Sequence, residues 1–257
     1  MVAITAAYWS ISFLPMLADA RRPFLWMTLF YMAMAFLESA VVVYLRALYY
    51  PDGFAFPLVP MDASLVVTEF IREIATMIML LAPAALLTRS VLERFAWFCF
   101  GFGVWDLFYY IWLKVLLDWP AALDEMDLLF LVPVPWVGPV WAPCTISLGL
   151  IAFAVIVLDR RRYSPAYRVD RSSWALLIAG AALMILSFTL DPLSQRFGLQ
   201  VLSSGTKGSM PSFAATSYVP QHYPWPWFAA GAGLSLLGLV RCWRMSDVVG
   251  GATVENR

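Results

Sequence analysis

Apolar and polar positions alternate along this chain in blocks far longer than a strand or a surface helix requires. Six apolar stretches, at about residues 24–49, 64–87, 95–117, 140–158, 174–190 and 224–240, are separated by polar or proline-containing breaks. Each is close to the roughly 20 residues that a helix needs to cross a bilayer. The pattern therefore predicts an all-α, polytopic transmembrane bundle of about six spans, forming a single integral membrane domain over residues 1–257. Met1 to Leu17 is apolar and uncharged, and it ends in Ala18-Asp19-Ala20. The tripeptide resembles a signal-peptidase site, but the basic start of a signal peptide is missing. Residues 1–20 read as an interfacial or short hydrophobic helix, with an extra short span kinked at Pro15 as the alternative.

Two breaks are long. Residues 118–139 carry Pro120, Pro133, Pro135 and Pro139 with Trp136 and Trp141 just beyond, too broken for a spanning helix and too apolar for a solvated loop. Residues 191–223 form a polar loop containing Gly, Ser and Pro. Both fall on the same side of the predicted bundle. Lys and Arg fix which side that is. Arg21, Arg22, Arg89, Arg94, Arg160, Arg161, Arg162, Arg168, Arg171, Arg241, Arg244 and Arg257 belong to one set of connections, and only Arg46, Lys114, Arg196 and Lys207 to the other. The positive-inside rule then places both termini in the cytoplasm, in a bacterial-type inner or plasma membrane, with the two long connections outside.

Composition supports the bilayer and removes several chemistries. The 257 residues are 62% hydrophobic and 13% charged, with mean hydropathy +0.75. A water-soluble domain is about half apolar and about a quarter charged. Net charge is zero, so no nucleic-acid partner is indicated. Cys99, Cys144 and Cys242 form no C-x-x-C or C-x-x-C-H pattern, and His222 is the only histidine. Covalent c-type haem and bis-histidine haem are thereby disfavoured. Gly-rich phosphate loops and the G-x-S-x-G elbow are also missing from the sequence.

Against this apolar background, a few ionisable residues lie away from span ends: Glu38 in the first span, Glu69, Arg72 and Glu73 in the second, and Asp106 in the third. Such residues are expensive at membrane depth and generally face a protein interior or a wet cavity. At ~1.5 Å rise per residue, Glu38 and Asp106 lie about 16 Å in from the outer ends of their spans, Glu73 about 14 Å and Glu69 about 8 Å. Glu69 and Glu73 share a helix face, with Thr76 one turn further and Arg72 alongside. Tyr109 and Tyr110 follow Asp106 and offer hydroxyls to a carboxylate held out of water.

These seven residues, Glu38, Glu69, Arg72, Glu73, Asp106, Tyr109 and Tyr110, are the candidate ligand- or ion-binding site. One Arg against four acids is relieved by protonation, by a bound cation or by charge from a partner subunit. If a metal is bound, Glu38, Glu73 and Asp106 are its candidate ligands, and oxygen donors favour a hard divalent cation. The segment 118–139 can cap the cluster from outside or anchor the helices in the interface; Asp118, Asp127 and His222 are secondary candidates at that outer mouth. Gly101 and Gly103 in the third span, and Gly231 and Gly233 in the sixth, are candidates for close helix packing.

The functional expectation is binding or transport of a cation, proton or small polar ligand from the outer side. Two alternatives stand beside it. One is a membrane-embedded enzyme using the carboxylates as acid/base groups or metal ligands. The other is a non-catalytic subunit of a larger membrane complex, with other membrane subunits as partners besides the lipid bilayer.

Overall fold

A computed structural model of the chain describes residues 2–59, 61–130, 134–195 and 218–251. Their elements, in chain order, are α1 (Val2–Tyr49), α2 (Ala63–Leu87), α3 (Val91–Leu117), β1 (Met126–Phe130), β2 (Trp136–Pro139), α4 (Trp141–Tyr163), α5 (Arg171–Ser194) and α6 (Trp225–Gly251). Five of the helices, α1 counted from Arg22, are long and apolar enough to cross a membrane. The chain is an all-α multi-pass membrane bundle with one small sheet. The stretch read as the sixth span lies within α6. The N-terminal stretch continues without a break into the first span, as one helix from Val2 to Tyr49.

Local chemistry explains where the helices begin and end. Ser90 and Glu93 have the Ser-x-x-Glu spacing of a capping box, and the Ser90 hydroxyl accepts the Glu93 N–H. As a result the break between the apolar stretches 64–87 and 95–117 shrinks to residues 88–90, and Glu93 and Arg94 belong to α3. Asp118 ends α3 in the left-handed conformation, with its N–H bonded to Lys114 O. Arg160, Arg161 and Arg162 are not a loop but the last turn of α4, where cations complement the helix dipole. Asp170 caps α5 by accepting the Ser173 N–H at 2.8 Å.

α3 is the central element, packed against α1, α2 and α4. Tyr31, Trp97, Phe100 and Trp105 are among its core contacts. α1 and α2 are tied together by side chains that cross between them. The Tyr31 hydroxyl donates to Leu80 O at 3.1 Å. Phe70, Ile71, Ile74, Ile78 and Leu81 of α2 remain exposed; in a bilayer this is the lipid-facing surface. α5 and α6 form a second pair. A Cβ on Gly180 or on Gly231 would lie 2.6 Å from the carbonyl oxygen of the other, so only glycine permits this approach. Gly233, expected to act in the same way, faces open space.

Within the segment 118–139, residues 126–130 and 136–139 form strands rather than a helix. β1 and β2 pair antiparallel, with Asp127 opposite Gly138 and Leu128 opposite Val137, and with a register shift before the Phe130–Trp136 pair. The broken proline pattern concealed a hairpin because its strands are only five and four residues long. The hairpin lies at the bundle end shared by the 50–62 connection. Val137 packs there with Leu58, Val66 and Tyr218. Of the second long connection, residues 196–217, including Lys207, lie outside the described residues.

Candidate binding cavity

The helices α1 to α5, the β1–β2 hairpin and the 50–62 connection surround a cavity of about 240 Å³ at the hairpin end. All seven residues singled out in the first three spans line it: Glu38, Glu69, Arg72, Glu73, Asp106, Tyr109 and Tyr110. The helical spacing is the reason. Glu69, Glu73 and Thr76 form one stripe of α2, opposite the exposed Phe70, Ile71, Ile74 and Ile78. Asp106, Tyr109 and Tyr110 turn inward on α3 in the same manner.

Within this cavity the charges are organised by side chains of different helices. Arg72 bonds Glu69 Oε2 through Nε at 2.8 Å and through Nη2 at 2.6 Å. Its Nη1 is ion-paired with Glu38 Oε1 on α1. The other Glu38 oxygen accepts the Thr76 hydroxyl at 3.2 Å. Arg72 is thus shared between two carboxylates. Removing one partner of such a group leaves an uncompensated charge, so the arrangement holds α1 and α2 at a defined separation.

Asp106 sits deeper, 7% exposed. Ser147 of α4 donates to its Oδ2 at 2.7 Å. Gly103 makes this possible: a Cβ there would lie 2.6 Å from Ser147 O, so α3 and α4 touch one turn from Asp106. The same approach brings Ile151 against α3.

The hairpin forms the roof. Asp127, Leu128, Leu129, Phe130 and Trp136 all line the cavity. Asp127 is 4% exposed and accepts the Tyr110 hydroxyl at 3.1 Å. Burial pushes its carboxyl up to about 6, against the pull of Arg46, the Tyr110 hydroxyl and the Leu128 N–H, while Glu125 adds to the rise. Arg46 lies over the Trp119 ring at 4.0 Å and the Phe54 ring at 4.7 Å, a cation held between two aromatic faces.

The other two outer candidates do not join the site. Asp118 is exposed and pairs with Lys114 at 2.7 Å on the same turn; Lys114 holds its carboxyl below the usual range. His222 is exposed and does not line the cavity. Nor do Glu38, Glu73 and Asp106 converge as a metal site. Among the described residues no three His, Cys, Asp or Glu side chains come together to hold an ion. Arg72 takes the space that a cation would share with Glu38 and Glu69, and Ser147 engages Asp106.

Sequence reasoning missed Arg46, Trp105, Trp136 and Ser147. Arg46 was legible: Glu38, Val42 and Arg46 recur every four residues and all line the cavity. Trp105 and Trp136 were hidden among many aromatics. Ser147 carries no local signal, since its importance comes from contact with another helix.

The lining holds five carboxyls, Glu38, Glu69, Glu73, Asp106 and Asp127, and two guanidiniums, Arg46 and Arg72. The rest is largely aromatic and aliphatic. Compared with known proteins, the chain matches no family model, no curated protein and no solved structure.

Proposed function

We propose that this protein binds a small cationic or polar ligand in the cavity beneath the hairpin and serves in its uptake or sensing from the outer face of the membrane. The observation that carries this reading is the cavity itself. Five carboxyls and two guanidiniums from α1, α2, α3 and β1 surround one space of about 240 Å³. A structural polar cluster between helices has no need of an enclosed space, whereas ligand sites are concave, mostly apolar and furnished with a few convergent polar groups. The outward direction is supported by the Lys and Arg distribution, since the basic connections lie at the opposite ends of the spans from the hairpin.

The test uses Glu73→Gln and Asp106→Asn, which keep shape while removing charge. Each is reconstituted in lipid nanodiscs and screened by thermal shift against a panel of small solutes of all charges. The expected result is folded protein in both variants, with loss of the stabilisation that the unmodified chain gains from its ligand. Solute effects unchanged in both variants would overturn the reading. So would unfolding of both, which is the behaviour of a cluster that only holds helices together.

A further inference from the structure

We infer that the cavity takes a small organic ammonium ion bearing apolar substituents, an inference that rests on the binding function proposed above. Three observations choose this class over a metal ion, an anion or a neutral solute.

The first is how the negative charge is spread. A hard metal ion needs several oxygens converging on one point at about 2.0–2.6 Å. Here the carboxyls are distributed along the cavity, with Arg72 between Glu38 and Glu69, Ser147 on Asp106 and Tyr110 on Asp127. Two guanidiniums do not balance the five acids. To the extent that the acids are ionised, such a surplus attracts a cation without offering it a coordination shell, and it repels an anion.

The second is the remaining wall. Phe102, Trp105, Tyr109, Phe130 and Trp136 line the same space. Ring faces carry partial negative charge and hold alkylated ammonium groups well, whereas a strongly hydrated metal ion gains little from them. Carboxylates and aromatic rings lining one space match a molecule that is cationic and apolar together.

The third is the indole N–H groups. Trp105, 5% exposed, and Trp136 both border the cavity, and neither Nε1 has a hydrogen-bond partner among the described residues. Buried donors are normally paired. Both nitrogens are closed off from the cavity space itself, so an acceptor oxygen on the occupant reaches them only with a shift of the indole rings. The volume equals that of about eight water molecules at ~30 Å³ each, room for a compact ammonium alcohol.

The experiment uses the full chain in nanodiscs, titrated calorimetrically with four probes. These are choline, its uncharged isostere 3,3-dimethylbutanol, the anion 3,3-dimethylbutyrate, and Mg²⁺. Choline is expected to bind at least about tenfold more tightly than the alcohol, with no binding of the anion or of Mg²⁺. Glu73→Gln lowers choline affinity towards that of the alcohol, and Trp136→Leu weakens choline without weakening the alcohol. Equal or tighter binding of the alcohol, the anion or Mg²⁺ overturns the ammonium inference and leaves the binding function standing. Choline binding that neither variant changes also overturns it, since the site then lies elsewhere. Failure of all four probes overturns both. The four-probe comparison on the unmodified chain decides the ligand class even where a variant fails to fold.

Discussion

Ser147 of α4 donates a 2.7 Å hydrogen bond to Asp106 of α3, at the level where the two helices come into backbone contact. The contact depends on Gly103, whose missing Cβ leaves room for the Ser147 carbonyl. Gly103→Ala is expected to push the helices apart and destabilise the protein by about 1–3 kcal/mol. Gly233→Ala, where a Cβ meets open space, should be neutral or stabilising by about 0.5–1 kcal/mol. Unfolding midpoints of the two variants in matched nanodiscs check the pair. Equal effects would show that the α3–α4 approach is not what Gly103 provides.

A second prediction concerns Arg72. Arg72→Gln leaves Glu38 and Glu69 without their shared cation and should destabilise by about 3–5 kcal/mol. Adding Glu38→Gln and Glu69→Gln to that variant should restore most of the loss, because the three side chains act as one unit. Additive losses in the triple variant would contradict the shared-ion geometry.

Asp127 should give the protein a pH-dependent stability. Its carboxyl titrates near 6 when folded, above the ordinary aspartate value of about 3.9. The folded state therefore binds the proton more tightly than the unfolded chain. The stability this supplies is fully present below about pH 4 and is lost as pH rises through about 6, on the order of 2–3 kcal/mol. Asp127→Asn should abolish that part of the slope. Tyr110, Arg46 and Glu125 face the same group, so Arg46→Met should shift the transition upward. Unfolding midpoints recorded from pH 4 to 8 read both effects.

Arg46 itself joins α1 to the start of the roof. Trp119→Leu removes one of the two rings that flank its guanidinium and should cost about 0.5–2 kcal/mol. It should also speed amide exchange in 121–130 relative to α3. Uniform exchange across the two segments would mean that the Arg46–Trp119 stack does not fasten the hairpin.

What could be read from the sequence was set by periodicity. Bilayer-length apolar runs announce their helices without knowledge of neighbours, and three- and four-residue spacing shows which polar side chains share a face. This is why Glu38, Glu69, Glu73 and Asp106 were legible as one cluster before any contact was known. Asp118 misled because acidity near a span end looks the same whether the residue turns into the protein or, as here, towards Lys114 and solvent. The β1–β2 hairpin was missed because its strands are only five and four residues long, and its pairing is a relation between residues apart in the chain. Ser147 was missed for a related reason: a serine in an apolar helix gains its partner only when Gly103 of another helix admits it.

The two-stranded ribbon over the cavity also works as a depth gauge. Among the described residues no third strand completes it, and β2 is covered instead by α4 and α5. Open strand edges are not tolerated against hydrocarbon. If the ribbon stands at the water boundary, as the proposed outward opening requires, the floor at Glu73 and Asp106 lies within the membrane while its ceiling is wet. A molecule reaching this floor by way of the ceiling arrives from the aqueous phase. Its rate of arrival should follow its charge and diffusion in water, not its partition into oil.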